Sequence, residues 1–129
     1  MIKINNKEYH DYEIKITWGN FDVCSNGKKN SGLAPFIEFN IENNIFLGLE
    51  FIFSREMFEN TKLNITTNID KYISDITYED KDGWISLILE KYNCSITRMN
   101  ENTFKIEFYV ESKEIEELNI IINANIKIL

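Results

Sequence analysis

Apolar side chains recur at every second residue along much of this chain, and this period of two limits the fold more than any other feature. Between residues 104 and 110, Phe104, Ile106 and Phe108 alternate with Lys105 and Glu107. Successive side chains of a strand point to opposite faces of a sheet, so this alternation predicts a half-buried antiparallel strand. The same pattern runs through residues 12–18, 37–42 and 120–128.

Turn-forming residues separate these runs at short intervals. Asn5-Asn6, Gly19-Asn20 and Asp82-Gly83 are pairs of residues that tolerate the positive φ of tight hairpins. The pattern predicts an antiparallel β-sandwich of about 8–11 short strands, with a barrel as the alternative. The predicted strands lie near residues 1–4, 8–18, 21–24, 35–42, 45–53, 63–69, 72–78, 84–91, 94–99, 103–110 and 119–128.

The length of 129 residues predicts a single domain over residues 1–129. With 43% hydrophobic and 13% aromatic residues, the chain has the composition of a folded domain and not of a disordered segment. At most two short helices are expected, at Ser54–Asn60 and Ser112–Leu118, each beginning with a serine that can cap it.

Acidic residues outnumber basic ones by 21 to 14, which gives a formal net charge of -7. Such a balance argues against binding to nucleic acid through bulk charge. The net charge is -2 over residues 1–64 and -5 over residues 65–129. No apolar run approaches the roughly 20 residues that span a bilayer, and no signal-peptide pattern follows Met1, so a cytoplasmic protein with no membrane contact is expected.

Two segments depart from simple alternation. Residues 45–53 place Phe46 and Ile52 on the face opposite the main apolar set, so they are either covered by a loop or short helix or form an exposed interface patch. Gly48 between them predicts a bulge or a close approach to the backbone. Ser25–Ala34 is the longest stretch without strand character, which indicates a surface loop or a binding loop carrying Lys28 and Lys29.

Residues suited to catalysis or metal binding are few. His10 is the only histidine, and adjacent Asp11 would point to the opposite face of a strand. Cys24 and Cys94 lack basic neighbours in sequence, so they are expected to be reduced, buried thiols. We therefore predict no enzyme activity, no cofactor and no metal centre. A calcium site at Asp80 and Asp82 is the weaker alternative, with Asp22 or Asp75 as further ligands.

The candidate binding residues are two tryptophans beside turns and two groups of acidic residues. A tryptophan next to a turn can stack on a sugar or anchor a protein interface. Clustered carboxylates speed encounter with a basic partner and set specificity. The candidates are Trp18, Trp84, Asp80, Asp82, Glu114, Glu116 and Glu117.

The first functional hypothesis is a non-catalytic protein-interaction module, in its concrete form an acidic inhibitor or immunity-type protein that covers a basic surface on its partner. The alternative is a β-sandwich that binds carbohydrate, or a surface through calcium, and the second alternative is a phage or capsid-associated structural protein. The sequence does not predict the oligomeric state.

Overall fold

A computed structural model describes residues 1–25, 27–52, 61–115 and 118–127, with the backbone alone at residues 20–25, 28–33 and 43. Eleven strands account for most of this part of the chain, and two short 3-10 turns lie at Glu42–Asn44 and Ile69–Lys71. The strands are β1 Ile2–Ile4, β2 Lys7–Tyr9, β3 Tyr12–Ser25, β4 Lys28–Ile41, β5 Ile45–Phe51, β6 Lys62–Ile65, β7 Ile73–Asp80, β8 Gly83–Ser86, β9 Leu89–Arg98, β10 Thr103–Ser112 and β11 Asn119–Lys127.

The strands form two antiparallel sheets that pack against each other, as the alternation predicts. The six-stranded sheet has the order β2-β1-β11-β10-β9-β6, and the five-stranded sheet has the order β3-β4-β5-β7-β8. Both sheets are open, so the sandwich is confirmed and the barrel alternative is not adopted. β3 and β8 are therefore the two edge strands of the five-stranded sheet.

The core lies between the sheets and is built from the apolar member of each alternating pair. Across the interior, the rings of Phe51 on β5 and Phe108 on β10 have centroids 6.2 Å apart. Tyr12 meets Phe39 edge to face with centroids 6.0 Å apart. The largest fully buried side chains are Ile2, Ile37, Phe39, Leu47, Leu49, Ile65, Ile106, Phe108, Ile120, Ile122 and Ile126.

The longest hairpin is the main difference from the predicted elements. β3 and β4 pair without interruption from Tyr12 opposite Ile41 to Ser25 opposite Lys28. The turn predicted at Gly19-Asn20 is instead extended strand, and the predicted loop Ser25–Ala34 belongs mostly to β4. Pairing along fourteen residues of each strand overrides the local turn preference, and the reversal occurs where Gly27 adopts a φ of 75°.

Smaller differences concern strand ends and helices. The predicted strand 8–18 divides between β2 and β3, and the predicted strands 84–91 and 94–99 are redistributed over β8 and one long β9. The described part of the candidate helix Ser112–Leu118 contains the end of β10 and a bend at residues 113–115 and no helical turn. The other candidate helix, Ser54–Asn60, and Phe53 lie outside the described residues.

Candidate functional site

The outer face of the five-stranded sheet carries a concentration of carboxylates. These carboxylates occupy outward-facing positions of β3, β4, β5 and β7, and the register places Glu50 directly opposite Asp75. Among the described side chains of this face, five are acidic and one, Lys15, is basic. We call this surface the acidic face; its carboxylates are Glu13, Glu38, Glu50, Asp75 and Glu79.

Two phenylalanine rings occupy the centre of the acidic face. Gly48 lies between them, and a Cβ atom built there would be 2.9 Å from Cζ of Phe36 and 3.2 Å from Cε1 of Phe46. The rings thus fill the space that a side chain at residue 48 would need. The close approach at Gly48 is therefore made by side-chain rings, whereas the sequence suggested a bulge or a backbone approach. Phe46 lies on the outer face, as predicted, where it and Phe36 are both half-buried.

Trp84 extends the aromatic surface to the edge of the sheet. It lies on β8 opposite Glu79, which in turn pairs with Phe46. Its side chain is 70% exposed, the highest value among the large hydrophobic residues that the structure describes. An exposed tryptophan beside carboxylates and half-buried rings is an arrangement typical of protein-interface anchors.

Hydroxyl groups hold two of the carboxylates of the acidic face in place. Asp75 Oδ2 accepts hydrogen bonds from Thr77 Oγ1 at 3.2 Å and from Ser86 Oγ at 3.3 Å. Ser74 Oγ donates to Glu50 Oε1 at 2.8 Å. Carboxylates oriented before binding lose less side-chain entropy when a partner arrives.

The outer face of the six-stranded sheet has the opposite balance. Of its described charged side chains, five are lysines and three are glutamates. The two outer faces of the sandwich therefore differ in charge. This difference is separate from the difference in net charge between the two halves of the chain. The eight residues are Lys3, Lys62, Lys91, Lys105, Lys127, Glu8, Glu107 and Glu111.

A groove of about 380 Å³ adjoins the acidic face at the β8 edge, and we call it the edge groove. Asp80, Asp82 and Trp84, three of the residues predicted from sequence, line it together. The other residues of its lining are Asn5, Tyr78, Gly83, Ile85, Ile115 and Leu118.

Asp80 is held by its own hairpin. Its Oδ1 accepts a hydrogen bond from the backbone N–H of Asp82 at 2.8 Å, and its Oδ2 accepts one from the hydroxyl of Tyr78 at 3.0 Å. Burial, followed by the hydrogen bond to the Asp80 carboxylate, raises the pKa of Tyr78 to about 12. The tyrosine thus remains a neutral donor, and the Asp80 carboxylate keeps a fixed position in the groove.

The structure does not bring the two tryptophans together. Trp18 lies on β3 and Trp84 on β8, the opposite edges of a five-stranded sheet. Four strand spacings separate these edges, which amounts to roughly 19 Å. Trp18 also belongs to the alternating set that faces inward, with 37% of its surface exposed. A sugar platform built from both rings is not formed.

The predicted acidic run is described only in part. Glu114 is exposed in the bend before Ile115, and Ile115 lines the edge groove. Glu116 and Glu117 lie outside the described residues. Of these three glutamates, Glu114 is thus the one that the structure describes, and it is next in sequence to a residue of the groove lining.

The described thiol and imidazole are not arranged for nucleophilic catalysis. Cys94 is fully buried, and burial raises the pKa of its thiol to about 12. Its Sγ donates a weak hydrogen bond to the carbonyl oxygen of Tyr109 at 3.9 Å. The exposed His10 lies 3.3 Å from a carboxylate oxygen of Glu8, so its acidic neighbour is Glu8 and not Asp11. The Cys24 side chain lies outside the described side chains.

Among the residues that the structure describes, no three Asp, Glu, His or Cys side chains converge as a metal site would require. Asp75 and Asp80, considered as joint calcium ligands, lie on opposite faces of β7. No helix in the described part of the chain is long and apolar enough to cross a membrane.

Sequence reasoning missed the centre of the acidic face. Phe36, Glu38, Glu50 and Glu79 were not among the predicted binding residues, although each occupies the outward position of an alternating strand. Comparison with protein-family models, with curated proteins and with solved structures finds no match to this chain.

Proposed function

We propose that this protein is a non-catalytic protein-binding module whose acidic face covers a basic surface of its partner, as an inhibitor or immunity-type protein does. The observation that carries the proposal is the combination of five carboxylates, one lysine and a central pair of phenylalanines on one sheet face. Cytoplasmic location and the absence of catalysis remain predictions that go with it.

The chemistry of the face suits this role because its two components act differently. Half-buried Phe36 and Phe46, together with exposed Trp84, offer apolar area that a partner can desolvate. The surrounding carboxylates repel acidic proteins and attract basic ones, which accelerates encounter and selects the partner. The lysines of the opposite sheet favour one orientation of approach.

The size of the acidic face also bears on the proposal. Its three rows of side chains extend roughly 19 Å across the strands and roughly 14 Å along them. A standard interface buries about 800 Å² on each partner, which is more than this central area provides. A partner would therefore extend over the neighbouring edge groove, where it would meet Asp80, Asp82 and Glu114.

Affinity capture from the cells of origin tests this proposal, with mass spectrometry as the readout. The bait proteins are the wild type, an acidic-face variant with Glu38→Lys and Glu79→Lys, and a control with Glu8→Lys and Glu107→Lys. Both variants change the net charge equally, but the control alters the opposite sheet. We expect wild type and control to retain one stoichiometric basic protein that the acidic-face variant loses.

Salt dependence of the purified complex completes the test. Because Glu13, Glu50 and Glu79 are exposed and Glu38 and Asp75 are half-buried, salt should screen their attraction to a basic partner. Raising the salt from about 0.05 to 0.5 M should weaken the wild-type complex at least tenfold. Recovery of the protein alone, capture that is equal for all three baits, or binding insensitive to salt would each contradict the proposal.

No specific observation of the structure favours the other two hypotheses in their original form. The sugar-binding alternative relied on Trp18 and Trp84, which lie on opposite sheet edges. The calcium alternative relied on Asp80 and Asp82 with Asp22 or Asp75; Asp75 lies on the opposite face of β7 from Asp80, and the Asp22 side chain lies outside the described side chains. A phage or capsid-associated role stays a prediction, and its test is self-association of the purified protein.

A further inference from the structure

The outer face of the six-stranded sheet contains a second depression, of about 380 Å³, which the proposed function does not use. We call it the amide groove because three asparagines line it. It crosses four strands, and the register places Asn64, Ser95, Glu107 and Asn123 in one row from β6 to β11. The neighbouring row contributes Asn93, Tyr109 and Ile121, and Lys62 completes its outward-facing lining.

A small residue on β9 accounts for the depression. Ser95 lies between Asn64 on one side and Glu107 on the other, both with longer side chains. Ser95 is 9% exposed, so its hydroxyl lies at the bottom of the groove with the larger side chains around it. A flat, solvated sheet surface would leave such a hydroxyl open to water.

The polar groups of the groove have unused hydrogen-bonding capacity. Within the described residues, no hydrogen bond joins the side chains of Asn64, Asn93, Ser95 or Asn123 to another protein group, and the three asparagines are exposed to solvent. Buried hydroxyls are usually paired, and leaving one unpaired is unfavourable. Ser95 is therefore a nine-tenths buried polar group without a protein partner among the described residues, and it lines the groove together with three exposed asparagines.

The charge and chemistry of the lining indicate the class of ligand. Glu107 is paired with Lys105 at 3.2 Å, and Lys62 at the β6 end is the other charged residue of the lining. The remaining polar residues of the lining are uncharged. Each asparagine side chain both donates and accepts hydrogen bonds, which matches the hydroxyl groups of a sugar. Tyr109 is 36% exposed beside the row, where its ring can contact the apolar face of a sugar while its hydroxyl donates to Glu111 at 2.6 Å.

We propose that the amide groove binds a neutral carbohydrate chain laid across strands β6, β9, β10 and β11. The row from Asn64 to Asn123 spans three strand spacings, roughly 14 Å, which accommodates more than one sugar ring. Ser95 and the asparagine amides hydrogen-bond the sugar hydroxyls, and Tyr109 borders the site. This site is independent of the acidic face, since it lies on the other sheet.

Titration of the ¹⁵N-labelled protein with neutral oligosaccharides tests the site directly. The probes are linear hexasaccharides of glucose, mannose, xylose and N-acetylglucosamine, with a sulfated hexasaccharide as the anionic comparison. We expect at least one neutral probe to shift the side-chain amide signals of Asn64, Asn93 and Asn123 in a saturable manner. No saturable shift with any neutral probe, or binding of the sulfated probe alone, would overturn the proposal.

Matched variants locate the binding. Asn93→Ala and Asn123→Ala should each weaken binding about fivefold or more, because each removes hydrogen bonds to the sugar. Asn125→Ala is the control, since Asn125 is exposed on the same strand as Asn123 but outside the groove lining. An equal effect of all three substitutions would place the sugar elsewhere. The Glu38→Lys/Glu79→Lys variant should bind the sugar normally, which separates this result from the fate of the protein-binding proposal.

Discussion

Cys94 provides a test of how completely the two sheets exclude water from the core. It is fully buried on β9, where it pairs with Ile65 of β6 and Phe108 of β10. Burial raises the pKa of its thiol from 9.0 to about 12. Between these values the native protein keeps the proton that the unfolded chain has lost. The corresponding stability is therefore fully present below pH 9 and decreases as the pH rises toward 12.

The size of the effect follows from the two pKa values. At pH 10 the unfolded thiol is about nine-tenths ionised, and the free energy of unfolding should fall by about 1.4 kcal/mol from this group alone. Cys94→Ala removes the titrating group and one buried heavy atom, at a cost of about 1 kcal/mol at pH 7. The wild type should therefore be the more stable protein at pH 7 and should lose that advantage by pH 10.

Urea unfolding followed by far-UV circular dichroism measures this crossover. Both proteins are unfolded at pH 7, 8, 9 and 10 under reducing conditions, and the difference between their unfolding free energies is plotted against pH. Cys24, the tyrosines and the lysines are common to both proteins, so their direct contributions cancel in the difference. A difference that stays constant from pH 7 to 10 would refute the reasoning, because it would mean that the native thiol ionises as readily as the unfolded one.

Two further predictions concern the β3–β4 hairpin and the tryptophans. Gly27→Ala should lower the free energy of unfolding by about 1–2 kcal/mol, because Gly27 has a φ of 75°. Gly19→Ala should change the free energy of unfolding by less than about 1 kcal/mol in either direction, because Gly19 lies in an extended strand and no atom is near the new Cβ. Urea midpoints measure both, and a larger loss at Gly19 would support a turn there instead. Acrylamide should quench a Trp18→Phe protein more strongly than a Trp84→Phe protein, because the remaining Trp84 is 70% exposed and Trp18 is 37% exposed; the reverse order would place Trp84 in contact with other residues.

The sequence alone predicts the sandwich because the features that indicate it, alternation and turn residues, are local. Strict alternation identifies β10 and β11 almost to the residue, and the Asn5-Asn6 turn falls where turn chemistry places it. Gly19-Asn20 has the same local chemistry yet is extended, because β4 pairs with it along the whole hairpin. Local preference is a small free energy, and a long ladder of cross-strand pairs exceeds it.

The binding surfaces required information that is not local. The alternation at Glu13 and at Glu38 shows that each side chain faces outward, but not that the two lie on the same sheet as Glu79. That depends on the strand order, which the sequence did not provide. Conversely, Trp18 and Trp84 share a turn-adjacent position in sequence but lie on opposite edges in space. Similar local surroundings therefore gave no information on proximity.

The two proposed surfaces are compatible because the sandwich separates them by its full thickness. The sheets lie about 10 Å apart, and each outer surface lies beyond that layer. A basic partner seated on Glu38 and Glu79 would leave Asn93 and Asn123 exposed on the other side. The lysines around the amide groove would turn that face away from a basic partner during encounter. Charge would thus orient the protein so that binding of its partner leaves the sugar-binding groove accessible.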